Sequence, residues 1–227
     1  MHRRIGMLIF PGMTQLDMTG PYEVLSRTPN SVVDLVARTL EPVTSDRGLQ
    51  ILPTVTYETC PPLDLIMVPG GPGQQKLMED EATLGFLRRQ AASATYITSV
   101  CTGSLVLGAA GLLKGKRATC HWSALEHLKL LGATPVSERV VVDGNIITGA
   151  GVTSGIEFGL TLAAILEGEQ AAREIQLQIE YDPAPPFDCG SPKRAPHDMV
   201  KRLQARGAKL YEERKAVAAR VGTKLGV

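Results

Sequence analysis

Apolar residues along this chain follow two rhythms. Short, nearly continuous runs rich in β-branched residues predict strands: "RRIGMLIF" (3–10), "VVDLVAR" (32–38), "LDLIMVPGG" (63–71) and "TYITSV" (95–100). Between them, apolar residues recur at helical spacing. "GPYEVLSRT" predicts a helix starting near Gly20, with Pro21 in its first turn, and residues 80–93 and "TGSLVLGAAGLL" (102–113) predict two more. "RVVVDGNIIT" has β-branched runs on either side of Asp143-Gly144, a strong hairpin signal. "TSGIEFGLTLAAILEG" is an almost wholly apolar helix with Glu157 as its one interior charge, predicted to be buried in the core. A further helix covers Glu169 to Tyr181. The Pro-rich "YDPAPPFDCGSP" then excludes regular structure, and a charged helix over about 196–219 follows.

Strands alternating with helices predict an α/β fold, a mostly parallel, doubly wound sheet with helices on both faces. No repeat or long linker divides the 227 residues, so the expectation is one domain over 1–227. The first apolar run meets Pro11-Gly12 after about six residues with no small-residue cleavage pattern, which reads as a first strand and not a signal peptide. No stretch approaches the roughly 20 apolar residues of a membrane span, so a cytoplasmic protein without a membrane partner is expected. The 24 basic and 23 acidic side chains leave a net charge of +1, which argues against nucleic acid as a partner. Cys60, Cys101, Cys120 and Cys189 show no CxxC spacing, and there are four histidines, so neither a disulfide framework nor a zinc site is expected.

Ligands of a doubly wound sheet bind beyond the carboxyl ends of its strands. Three motifs fall there: "FPGMTQLDMTGP", "VPGGPG" and "SVCTGS". Cys101 stands between a strand and a helix, where free amide N–H groups and the helix dipole would lower a thiol's pKa and supply a thiolate nucleophile; Gly103 and Ser104 leave the turn unobstructed. A cysteine taken alone is more often a small buried hydrophobe, and the other three cysteines keep that reading. The Gly-rich turn at 69–73 offers bare backbone N–H groups for a developing negative charge, or is simply a tight turn; it lacks the spacing of a phosphate loop. Asp17, between Leu16 and Met18 in a predicted loop, is a carboxylate in apolar surroundings suited to proton transfer, or else a turn or capping aspartate. Glu23 is its rival.

The motifs "LDMTGP", "VPGG" and "VCTGS", with "LGAAGLLKGKRATCHW" after the last, resemble the ThiJ/PfpI superfamily, related to the class I glutamine amidotransferases, to about residue 190. The resemblance implies a flavodoxin-like fold with its cysteine on a strand-to-helix elbow. Within the superfamily, Asp17 and the Thr102 that follows Cys101 look most like the isocyanide hydratases. Hydrolytic branches carry histidine after the nucleophile or a downstream His-Glu pair. Here His121 and His127 flank Trp122 in a predicted later helix, and both are read as structural.

The resemblance implies hydration of a small-molecule isocyanide to an N-substituted formamide through a covalent thioimidate, with Cys101 as nucleophile and Asp17 moving the proton. Thr102 and the Gly71 N–H would position intermediates, Val152 would stand near the cysteine, and Asp182 is a weaker candidate for the outer site. No metal or organic cofactor is implied, and a homodimer is. Two alternatives share these motifs. One is a cysteine-based stress protein or deglycase, against which Asp17 counts because glutamate is the usual partner there. The other is a ligand-sensing module like those of AraC-type regulators, against which the roughly 35 residues after Gly190 count, being too few for a DNA-binding domain.

Overall fold

The computed structural model describes residues 2–227. Seven strands form its central sheet: β1 (Arg3–Leu8), β2 (Ser31–Ala37), β3 (Val55–Thr56), β4 (Leu65–Val68), β5 (Tyr96–Val100), β6 (Val140–Asp143) and β7 (Ile146–Gly149). Their spatial order is β6-β7-β5-β4-β1-β2-β3, and every neighbouring pair is parallel except the β6–β7 hairpin. That hairpin turns at Gly144-Asn145, and Gly144 takes the positive φ of 63° the tight turn requires. Two small sheets, 43–44 with 50–51 and 117–118 with 134–135, lie beside the main one.

The strand order follows from the crossovers. After β1 the chain steps outward to β2 and β3, then returns to the opposite side of β1 as β4. Right-handed crossovers in both directions place helices on both faces and open a crevice where the order reverses, between β1 and β4. Because both faces are covered, the central strands are apolar at successive positions: Leu65, Ile66, Met67 and Val68 are all buried. Each such side chain contributes about 1.5–3 kcal/mol through burial.

One helical layer holds α1 (Gln15–Leu25), which packs on α4 (Ser154–Glu167), which in turn packs on α5 (Glu169–Gln178). The other includes α2 (Glu81–Ala91), α3 (Gly103–Ala109), the 3₁₀ segment Leu125–Leu131 and the long α6 (His197–Leu225). Gly159 lets α4 lie close on α1, since a Cβ there would come within 2.9 Å of Val24.

Four local expectations are corrected. The first helix begins at Gln15, so Asp17 lies in its first turn and not in a loop; Gly20, which the packing of α4 accommodates, sits inside it. Helix α4 is buried on one side only, and its Glu157 is half-exposed, paired with Arg139 and accepting from the Tyr181 hydroxyl at 2.9 Å. His121 lies in a turn, while His127 is buried in the 3₁₀ segment with its ring 4.4 Å from that of Tyr211. The last helix starts at His197 and continues to Leu225, because Val217, Ala218, Val221 and Gly222 keep a buried stripe on one face to its end.

Candidate active site

Three loops meet at the crevice between β1, β4 and β5. The chain leaves β5 through Cys101, whose φ of 57° is left-handed, a conformation uncommon for a side chain larger than glycine. Its N–H is shared between the carbonyls of Gly149 (3.0 Å) and Ala150 (2.8 Å), and its carbonyl accepts from the Ser104 hydroxyl at 3.2 Å. The elbow also depends on Gly103, where a Cβ would lie 2.0 Å from the Val68 carbonyl oxygen. This is a strand-turn-helix junction in which no larger residue fits at the helix start.

The β4 loop closes over the elbow. Gly70 donates its N–H to Asp17 Oδ2 at 3.0 Å, and Gly71 donates to Thr102 Oγ1 at 3.1 Å. A Cβ on Gly70 would lie 2.5 Å from the Thr102 nitrogen and 2.9 Å from Asp17 Oδ2, so the glycine marks where the two loops touch. Gly71 has a φ of 117° and would strike the Met13-Thr14 backbone if substituted. Asp17, Thr102 and Cys101 are 0, 2 and 5 % exposed.

Burial at this depth sets the electrostatics. Asp17 is pushed up to about 7 by desolvation; the adjacent Cys101 thiol and the Gly70 N–H pull it down, and Asp46 pushes it further up. Its Oδ1 is buried with no hydrogen-bond partner. The Cys101 thiol is pushed well above its ordinary range, first by burial, then by Asp17 and Cys120, against the Thr102 N–H, which favours the anion. The expected low thiol pKa is therefore corrected. Helix α3 spans only seven residues, and desolvation outweighs its dipole. The resting pair is a thiol beside a carboxyl that ionises near neutrality.

The other expected residues are placed less centrally. The Gly71 N–H is engaged by Thr102, which leaves the Thr102 hydroxyl proton free to donate elsewhere. Val152 is half-buried in the turn before α4, two residues beyond the Ala150 carbonyl that holds Cys101. Glu23 is turned outward and paired with Arg27 at 2.7 Å, and Asp182 is exposed; neither joins the site. Among the described residues, no group of three or more His, Cys, Asp or Glu side chains is placed to hold a metal ion, and no helix is long and apolar enough to cross a membrane.

A family pattern, the DJ-1/PfpI family, matches residues 3–165, which includes all three loops. The chain belongs to the DJ-1/PfpI family. One relative, the isonitrile hydratase of Pseudomonas putida, is 56% identical over 224 residues, 99% of this chain and 98% of that protein. Drosophila melanogaster protein DJ-1alpha is 31% identical over 74% of this chain and 80% of its own. Among solved structures, a ThiJ/PfpI family protein from Pseudomonas syringae superposes with a TM-score of 0.94 at 46% identity, over 96% of this chain and 91% of that one. Drosophila melanogaster DJ-1beta gives 0.72 at 25%, over 81% and 100%.

Sequence reasoning passed over three neighbours of this DJ-1/PfpI elbow. Cys120 is fully buried beside Ser104 and Cys101, and Asp46 flanks Asp17, accepting from the Thr14 hydroxyl at 3.3 Å. Arg214, from α6, is buried, and its charge acts on Cys120. Nothing local marks Cys120 or Asp46. Arg214 does carry a signal: it stands on the same helical stripe as Val217, Ala218 and Val221, where a solvated arginine is out of place.

Proposed function

We propose that the chain is an isocyanide hydratase that adds water to R–N≡C to give R–NH–CHO. One observation carries the substrate class: the 56% identity to a protein named isonitrile hydratase runs the length of both chains. The DJ-1alpha match is narrower and lower, so the stress-protein and sensor readings have less support.

The site's chemistry suits the reaction. The terminal carbon of an isocyanide accepts both a nucleophile and a proton. In the competent resting state, one proton is shared between the Cys101 thiol and the Asp17 carboxylate. Asp17 takes the thiol proton as Sγ attacks the carbon and then passes it to that same carbon, so that S–H adds across it and gives the thioimidate R–N=CH–S–Cys101. Water adds to the thioimidate carbon with Asp17 as base. Collapse of R–NH–CH(OH)–S–Cys101 forms the carbonyl, breaks the C–S bond and restores the thiol.

Thr102 serves in two ways. Its N–H supports the sulfur anion, and its hydroxyl, held by the Gly71 N–H, donates to the substrate nitrogen or to the attacking water. Val152 forms part of the pocket wall. The depth of the site excludes bulk water, which strengthens each of these interactions.

The test is formamide production from an alkyl or aryl isocyanide, followed by mass spectrometry. Wild type is expected to turn over and Cys101→Ala to fall to background. Absence of formamide from wild type whose Cys101 still alkylates would overturn the substrate, and full turnover by Cys101→Ala would overturn the nucleophile.

A further inference from the structure

Glu157 is the one charge in the interior of α4, and the reaction as written gives it no task. Both its oxygens are engaged, by different parts of the chain. Oε2 binds Nε of Arg139, which immediately precedes β6, and Oε1 accepts from the Tyr181 hydroxyl at 2.9 Å, just beyond α5. Tyr181 is fixed at both of its backbone groups: its N–H donates to the Gln176 carbonyl at 3.0 Å, and its carbonyl accepts from the Gln176 side chain at 3.1 Å. Glu180 before it takes a left-handed φ of 52°, uncommon for a residue other than glycine. Burial and then the bond to Glu157 raise the Tyr181 hydroxyl above its ordinary range, so it keeps its proton and remains a donor.

This clasp leads to the elbow through hydrogen bonds. The Arg139 carbonyl accepts the Ala150 N–H at 2.8 Å, one rung beyond the β6–β7 ladder, and the Ala150 carbonyl accepts the Cys101 N–H, also at 2.8 Å. From Ala150 the chain turns at once into α4: Ser154 donates to the Gly151 carbonyl at 2.9 Å and Gly155 to that of Val152 at 3.2 Å. Other sides of the turn are filled. A Cβ on Gly151 would lie 2.8 Å from Cδ2 of His121, and one on Gly149 would lie 3.2 Å from Cβ of Phe158, the residue after Glu157. Glu157 therefore ties the first turn of α4 to Arg139, the residue whose backbone holds the acceptor of the Cys101 N–H. The Arg139 and Glu157 side chains are 54 and 31 % exposed, and an ion pair in such a setting adds little to stability. Its geometry has more consequence, because a misplacement of about 1 Å at a reacting group can cost about a hundredfold in rate.

Resting on the reading of Cys101 as nucleophile, we propose that Glu157 is a positioning residue that limits the size of the group R carried by an electrophile at Cys101. Bound to Arg139 and Tyr181 together, it holds the turn 150–152 against the elbow, and Val152 is the wall that R meets. Without the clasp, the backbone of Arg139 alone restrains the turn, Val152 moves outward and a bulkier R enters. Both bonds act through one carboxylate, so once Glu157 is removed the Tyr181 hydroxyl has no further effect on Cys101.

The experiment follows alkylation of Cys101 and Cys189 by N-methylmaleimide and by N-cyclohexylmaleimide, read by peptide mass spectrometry at about pH 8, with and without about 1 M urea. The proteins are wild type, Glu157→Ala, Tyr181→Phe and the double variant. At Cys101 the cyclohexyl-to-methyl rate ratio is expected to rise about fivefold in Glu157→Ala and about threefold in Tyr181→Phe, while the ratio at exposed Cys189 stays as in wild type. In the Glu157→Ala background, Tyr181→Phe is expected to add nothing. A ratio within about twofold of wild type in either folded single variant overturns the proposal, as do additive effects in the double variant. A Cys101 rate that rises with urea in any of the four proteins also overturns it, since opening of the fold would then control access in place of the wall. Failure of both single variants to fold overturns it too, because the clasp would then be structural. Isocyanide plays no part in the measurement, so a wild type without turnover overturns the substrate and leaves this result standing.

Discussion

Two polar clusters lie where the strands of the sheet end, and they differ in how their charges are satisfied. Beside the ends of β1 and β2, a cleft of about 660 Å³ is lined by Arg38, Tyr57, Lys76, Asp80 and Thr83. There Arg38 Nη2 reaches both oxygens of Asp80, at 2.6 and 2.5 Å, Asp80 caps α2 through the Thr83 N–H, and the Tyr57 hydroxyl lies 3.1 Å from that of Thr83. Around Cys101 the side chains of Asp17, Thr102 and Cys101 are buried, Asp17 Oδ1 has no hydrogen-bond partner and the Cys101 backbone is left-handed. In the open cleft the acid is paired and capping, whereas in the buried cluster a carboxyl oxygen is held without a partner. Under the proposed mechanism reactivity follows from the second condition, because a buried carboxyl with an unpartnered oxygen beside a buried thiol keeps a proton transferable between them.

The largest test of that contrast is Asp17→Asn. Under the proposed mechanism it lowers kcat/KM for an isocyanide by about 10²–10⁴. Wild-type kcat/KM is expected to rise with pH through about 7 as Asp17 ionises, and Asn to abolish that limb. Stability moves the other way. A carboxyl raised from its ordinary value to about 7 by folding holds its proton while the unfolded chain loses it, so wild type loses stability as pH rises from about 4 to 7. The loss approaches about 4 kcal/mol. Thermal melts should therefore find Asp17→Asn more stable than wild type at pH 8 and level with it near pH 4. A variant less stable than wild type at pH 8 would mean that Asp17 is not held at a cost.

Gly70→Ala sharpens the contrast at the next scale. Its methyl group would meet Thr102 at 2.5 Å and Asp17 at 2.9 Å, so a loss of about 1–3 kcal/mol on chemical denaturation is expected, with turnover falling as the Asp17–Thr102 spacing opens. The smallest effect belongs to the open cleft. Asp80→Ala removes a helix cap and an exposed ion pair, which costs about 1 kcal/mol and leaves kcat and KM for the isocyanide unchanged. Lost turnover in this variant would break the comparison by bringing the cleft into the reaction.

Much of this was legible in the chain because it is local. Alternation of β-branched runs with helical spacing predicts the doubly wound sheet, since a parallel strand buried on both faces must be apolar at every position. Cys101 is marked by its junction, Gly103 by the missing Cβ that lets the helix begin against Val68, and the Gly70-Gly71 turn by its bare backbone. The misreadings were local in origin too. A proline at Pro21 suggested a helix start near Gly20, because proline suits a first turn, yet tight packing between α1 and α4 carries the helix back to Gln15. The reach of α6 to Leu225 was hidden because its buried stripe is diluted by charged residues on its outer faces.

The sequence by itself determined which backbone can turn at the elbow, which segments are strands and which acid, thiol and hydroxyl are available. Only the tertiary structure decided their state. Burial raises Asp17 to about 7 and drives the thiol upward against the short helix that would lower it, and desolvation is a property of everything packed around a group. It also decided that Arg214, far along the chain from the elbow, is buried. In sequence Arg214 is one charge in a charged helix, and it becomes a buried cation because α6 is pinned by Tyr211 and Gly222 against elements from elsewhere in the chain.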